Sequence, residues 1–358
     1  MLNDPRRIEA LDSGGMSRLL QSFDGQLEEA LGIGMSQEVP KLSDVRNILL
    51  CGMGGSAIGG DFIRSYLGEN LKVPLLVHRN YEVPGFADRS TLVFVVSYSG
   101  ETEEALSSFR AAQRLGCKTV CLASGGSLQQ LAREEGCLYF QVPGGIPPRT
   151  ALAYCAIPPL LVLARAGLIA DCLEEIRASV QWVRTRIQAY GLESPMEQNR
   201  AKELALRIHG RIPVVYGSQD RLDMVAMRWR AQFTENAKQL AFWGALPEMN
   251  HNELEGWKHP KHRLESMLPV FLRDAGDHPP VQRRLEMTRS VMARGGRQPV
   301  ECWSEGESWM ERLWTLILLG DFASFYLACL NREDPVRIQA IQDLKEHIQR
   351  QRDGKDHV

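Results

Sequence analysis

Ile48-Leu49-Leu50-Cys51-Gly52-Met53-Gly54-Gly55-Ser56-Ala57-Ile58-Gly59-Gly60-Asp61 reads as a buried strand, a glycine-serine turn and the start of a helix. The first N–H groups of a helix have no intrahelical partner, and the helix dipole is positive there. Such a turn is therefore a natural seat for a phosphate in an α/β protein. Gly52 to Ala57 also fits the GxGxxA dinucleotide fingerprint, which alone is weak evidence. A nicotinamide site calls for an acid after the second strand. Here Val77 is followed by His78-Arg79-Asn80, which leaves open an NADP site using Arg79.

Around this stretch strands and helices alternate. Residues 47–51, 73–77, 92–97, 119–123 and 138–142 read as strands, with helices to about 67, over 101–115 and through 132. The strands are continuously apolar rather than alternating, which implies a parallel sheet covered on both faces. Apolar spacing over 10–31 predicts a helix before the first strand, and 151–170 predicts a buried helix after the fifth. A charged amphipathic stretch, 171–206, predicts a linking helix pair. The pattern then restarts: Ile212-Pro213-Val214-Val215-Tyr216-Gly217-Ser218 echoes 48–52, a helix follows over 223–238, and 269–272 supplies another strand. A diverged second copy of the same unit is expected. Residues 283–297 predict a helix with a turn at Gly295-Gly296, 310–330 a buried helix, and 349–358 a mobile polar tail.

The 358 residues suffice for two domains. A net charge of −2 gives no bulk attraction to nucleic acid or to an anionic membrane. Pro158, Pro159 and Arg165 in one apolar run, and Asp321 in another, argue for buried helices over membrane spans. Eight scattered cysteines without a CxxC pair read as free thiols in a reducing cytoplasm. The polar N-terminus has no signal-peptide core.

A second loop, Ser97-Tyr98-Ser99-Gly100-Glu101-Thr102, follows the third strand and opens a helix. Its hydroxyls, with the helix N–H groups, make a neutral cradle for a dianion, and no lysine accompanies them. Ser56, at the matching place after the first strand, would converge on the same anion. The alternative is that Ser97, Ser99 and Thr102 only cap the helix.

Further candidates are scattered. Glu235 sits among Trp229, Phe233 and Ala237, a setting suited to a proton-transfer base, or else it pairs on the surface with Lys238 at i,i+3. His251, between two asparagines, is placed to pass a proton, or is a solvated loop histidine. Its spacing from His259 and His262 follows no metal-ligand pattern. Arg149 precedes a helix, where a cation is disfavoured without a compensating anion. Lys345 reads from the sequence as a surface helix lysine.

The segments Gly-Met-Gly-Gly-Ser at 52–56 and Ser-Tyr-Ser-Gly-Glu-Thr at 97–102 resemble the sugar isomerase (SIS) fold, whose members bind phosphosugars. Pro148-Arg149, Thr234-Glu235-Asn236-Ala237-Lys238 and Pro247-Glu248-Met249-Asn250-His251-Asn252-Glu253 are similar to the bifunctional phosphoglucose/phosphomannose isomerase family, with the likeness running to about Ile348. The resemblance implies an α/β protein of two SIS-type doubly wound parallel-sheet domains with flanking helices. They would divide as 1–170 and 171–348, followed by the tail. It implies a cytoplasmic isomerase that interconverts glucose, mannose and fructose 6-phosphates through a cis-enediol, with no cofactor and no metal. Gly54, Gly55, Ser56, Ser97, Ser99 and Thr102 would hold the phosphate. Glu235 would be the base, Arg149 would stabilise the enediolate, and Lys345 would assist ring opening. His251 would open the ring from the partner subunit of a homodimer. A non-catalytic phosphosugar sensor would need neither Glu235 nor His251. An aminosugar-phosphate isomerase would need a source of ammonia. The 283–297 region and the tail depart from the family pattern.

Overall fold

The computed structural model describes residues 2–294 and 297–352. Its first sheet contains β1 (Asn47–Cys51), β2 (Leu75–His78), β3 (Thr91–Val96), β4 (Lys118–Ala123) and β5 (Leu138–Gln141). The strands are all parallel, in the order β2-β1-β3-β4-β5. A second sheet holds β6 (Ile212–Ser218), β7 (Phe242–Leu246), β8 (Met267–Arg273) and β9 (Val300–Trp303), parallel in the order β7-β6-β8-β9. The second order repeats the first without its last strand, so the expected second copy is present as topology. Every residue of β3 is buried, as its unbroken apolar run requires of a central strand covered on both faces.

This winding creates the crevice that matters. From β1 the chain crosses to β2 on one side, and from β3 it proceeds to β4 on the other. The loops leaving β1 and β3 are therefore neighbours at the carboxyl edge of the sheet, where the connections part.

Two apolar helices fill the interior. Leu152–Arg165 is buried from Leu152 to Leu163 despite Pro158 and Pro159, and packs on Phe23–Met35 and Gly54–Leu67. Trp309–Asn331 is long and apolar enough to cross a membrane, but 94% of its most apolar window is buried inside this protein. It packs on Asp223–Ala237, Arg200–Ile208 and Leu173–Tyr190. The Trp314 ring of this helix stacks on Phe62 with 4.4 Å between centroids, joining it to the first sheet's helix.

Several expectations needed correction. The helical run over 10–31 is broken at Ser22 into Met16–Gln21 and Phe23–Met35. The second strand begins two residues later than 73, beyond Pro74. β7 and β9 were not anticipated; Gly244 and Ala245 dilute the apolar signal of β7, and β9 is only four residues long. The last helix, Gln339–Arg352, carries regular structure into the segment expected to be a mobile tail. The turn at Gly295-Gly296 and the tail from 353 lie outside the described residues.

Contact between the helices at Gly320 gives a test. A Cβ there would come 2.1 Å from Nε1 of Trp229, which is fully buried and donates to Leu316 O. Gly320→Ala should therefore cost about 1–3 kcal/mol through overpacking. Urea unfolding would measure it, and an unchanged midpoint would contradict this packing.

Candidate active site

The glycine-serine turn is shaped by its neighbours. Gly54 has a φ of +47°, in the left-handed region open to glycine. Gly55 lies so close to the next site segment that a Cβ would stand 2.5 Å from Pro148 O. The turn and Arg149 are thus packed backbone against backbone. Ser56 Oγ accepts from Tyr98 N at 3.0 Å, tying the first loop to the second. Ser97 Oγ accepts from Thr102 N at 3.3 Å, and Ser99 Oγ from Glu101 N at 3.2 Å. Each of these hydroxyls accepts a backbone hydrogen bond and retains its own proton for donation. Ser56 and Ser97 are buried and Ser99 is exposed. Thr102 is the N-cap of Glu103–Arg114 but makes no side-chain cap bond. The cap alternative therefore describes part of what Ser97 and Ser99 do, and does not describe Thr102. Glu101 reaches on to Ser127 N at 2.6 Å, fastening the loop after β4 to the same edge.

Arg149 is 4% exposed. Its Nη1 lies 3.5 Å from Glu235 Oε2, its Nε donates to Asn236 Oδ1 at 2.6 Å, and its Nη2 donates to the carbonyls of Pro335 and Val336. Burial pushes the guanidinium below its usual proton affinity, with the Glu235 and Asp334 charges opposing. The anion expected near this helix start is Glu235. The alternative pairing of Glu235 with Lys238 is not formed; the Lys238 amine donates instead to the carbonyls of Asn236 and Asp334.

Asp223–Ala237 presents a stripe at i, i+4 and i+8 that holds this arrangement. Arg228 grips Asp321 with Nε to Oδ1 at 3.0 Å and Nη2 to Oδ2 at 2.6 Å, and also donates to Arg149 O. Gln232 Nε2 donates to Asp321 Oδ1 at 2.7 Å. Asn236 Nδ2 donates to Ser324 Oγ at 2.9 Å. Sequence reading missed Arg228, Gln232 and Asn236. The available signal was their four-residue spacing around Glu235, together with a lone aspartate inside an otherwise apolar helix.

Two cavities meet at Glu235. One, of about 100 Å³, is lined by Gly54, Gly55, Arg149, Gln232 and Glu235, with Arg79, Arg228 and Arg230 among the rest. The other, of about 700 Å³, lies between Thr234, Glu235 and Lys238 on one side and residues 332–341 on the other. Arg79, the candidate for an NADP phosphate, is paired with the buried Asp61. His251 is exposed at the end of a short 3-10 turn after β7 and lines neither cavity. Lys345 is exposed on the last helix, whose first residues line the larger cavity. Among the described residues, no three His, Cys, Asp or Glu are grouped to hold a metal ion.

The corresponding edge of the second sheet has the opposite character. Ser218, ending β6, donates to Asp277 Oδ1 at 2.7 Å, and Arg221 pairs with Asp274 and Asp277. Burial raises Asp277 above the usual carboxylate range. Carboxylates where the first edge has hydroxyls disfavour a phosphate.

A sequence model of the SIS domain matches residues 41–146, and one of the bacterial phospho-glucose isomerase C-terminal SIS domain matches 197–348. A bifunctional phosphoglucose/phosphomannose isomerase of Caldicellulosiruptor bescii is 35% identical over 90% of this chain and 96% of its own length. One of Aquifex aeolicus is 37% identical over 86% and 92%. A hypothetical protein of Thermus thermophilus has a similar structure, with a TM-score of 0.74 at 18% identity over 97% of this chain and 94% of its own. With relatives this similar over nearly their whole length, the chain belongs to the bifunctional phosphoglucose/phosphomannose isomerase family.

Proposed function

We propose that the protein interconverts glucose 6-phosphate, fructose 6-phosphate and mannose 6-phosphate through a cis-enediol. The observation that carries this reading is a carboxylate and a buried guanidinium 3.5 Å apart, lining one cavity with the glycine-serine turn. The hydroxyls of Ser56, Ser97, Ser99 and Thr102 and the backbone of Gly54 and Gly55 hold the phosphate. Glu235 takes the proton from C2 of the open-chain aldose. The C–H electron pair forms the C1–C2 double bond, and the former carbonyl oxygen gains negative charge beside Arg149. Glu235 then returns the proton to C1, while the C2 hydroxyl passes its own proton to the anionic oxygen at C1 and C2 becomes the ketose carbonyl. Return of a proton to C2 from the ketose yields either aldose, according to the face presented.

His251 opens the sugar ring from the partner subunit of a homodimer, and Lys345 assists. What supports a shared site is the exposure of His251 away from its own chain's cavities, beside an apolar surface. Leu240, Phe242 and Trp243 on and before edge strand β7 are exposed, as are Met287 and Val291 on the neighbouring helix. Exposed apolar clusters of this kind mark association surfaces. All eight cysteines are free thiols, which suits a cytoplasmic protein.

Incubation with fructose 6-phosphate in D₂O should place deuterium at C2 of both aldose phosphates. Glu235→Gln should retain phosphosugar binding while slowing turnover about 10²–10⁴-fold; near-normal turnover would remove Glu235 from the role of base. Inactive His251→Ala and Glu235→Gln proteins, unfolded and refolded together, should regain about a quarter of wild-type activity, because each mixed dimer rebuilds one intact site. No recovery despite mixed dimers would mean that both groups act within one chain.

A further inference from the structure

Gln232 is 1% exposed, and its Oε1 has no hydrogen-bond partner. The amide orientation follows from the network. Asp321 accepts from Arg228 and can only accept from Gln232 as well, so the amide nitrogen faces it and the oxygen faces elsewhere. Among the described residues, six others also have buried, unpartnered side-chain atoms, and none of those six lines the small cavity at Glu235. Gln232 does.

The rest of that lining makes the oxygen informative. Arg79, Arg149, Arg228 and Arg230 supply donors only. Apart from the weakly accepting sulfur of Met227, the side-chain acceptors are the Glu235 carboxylate and the Gln232 amide oxygen. A sugar hydroxyl that enters must donate its proton to something. Glu235 is engaged in the transfer at C1 and C2, and Gln232 lies one helical turn before it and lines the same cavity as Gly54 and Gly55.

We infer that Gln232 Oε1 accepts a hydrogen bond from the substrate hydroxyl at C3 or C4, between the reacting carbons and the phosphate. Gln232 is thus a specificity residue of the site. A neutral amide held by Asp321 binds an O–H without taking its proton, and it leaves the acid–base chemistry to Glu235. The identity of the ligand rests on the isomerase reading; the need for a hydroxyl donor rests on the unpartnered oxygen.

Calorimetric titration tests this independently of turnover. Wild type should bind glucose 6-phosphate about 10–100-fold more tightly than whichever 3-deoxy or 4-deoxy analogue lacks the partner hydroxyl. Gln232→Met should bind the intact and deoxy sugars alike and bind inorganic phosphate as wild type does. Equal losses for intact sugar, both analogues and phosphate would reduce Gln232 to a structural role and overturn the inference. A crystal structure of the unaltered protein with bound sugar phosphate gives a measure that does not depend on the variant's folding. Oε1 should lie within about 3.2 Å of a sugar oxygen, and a separation beyond about 4 Å would overturn the inference. Should wild type show the hydroxyl preference yet exchange no deuterium in the presence of fructose 6-phosphate, the isomerase reading falls and this inference stands.

Discussion

Asp321 organises the side of the molecule that carries Arg149 and Glu235, from within an apolar helix. Its two oxygens take the Arg228 guanidinium in a fork, and one also takes Gln232. One turn later, Ser324 takes Asn236. Two helices are thereby locked in rotation and register, as apolar packing alone would not require. The fixed stripe fixes Glu235 between its members and, through Asn236 and the Arg228 bond to Arg149 O, fixes Arg149. A buried fork of this kind contributes little net stability over apolar residues. Removal of one partner, however, strands a charge at a cost of about 3–5 kcal/mol. Its value here is positional.

The two sheets repeat one topology and have diverged at the edge where ligands bind. The first keeps hydroxyls and open helix N-termini after β1 and β3. The second fills the same position with Asp274 and Asp277, held by Arg221 and Arg312. Its contribution to the site comes from elsewhere: the helix after β6 swings Glu235 toward the first sheet's loops. One unit brings the hydroxyl loops, the other brings Glu235, and Arg149 lies at the seam between them.

What could be read from the sequence follows from how far each signal reaches. The parallel sheets, the glycine-serine and hydroxyl loops after β1 and β3, and the buried nature of 310–330 rest on local runs and spacings, and they emerged with small shifts. β7 and β9 were lost because neighbouring glycine, alanine and proline mask short strands. Arg149 and Glu235 were found as candidates, but their 3.5 Å approach was not, since it joins residues 86 positions apart. Arg228, Gln232 and Asn236 were passed over because their partners lie on another helix. Asp321 was noticed only as evidence against a membrane span, although a charge in an apolar helix also implies a buried partner.

The closeness of Arg149 and Glu235 bears directly on the proposed chemistry. Before reaction their charges oppose, an attraction of about 5 kcal/mol at an effective dielectric constant of about 20. When the carboxylate takes the C2 proton, it becomes neutral. In that step the former carbonyl oxygen of the sugar becomes anionic. The guanidinium loses one counter-charge as another forms, so the net charge of the pocket is unchanged along the reaction. A buried site tolerates such an exchange far better than the creation of an isolated charge. The same logic favours hydroxyls over a lysine in the phosphate cradle. A fixed cation there would compete for the charge of Glu235, whereas neutral donors would hold a phosphate without adding charge beside the arginine–glutamate pair.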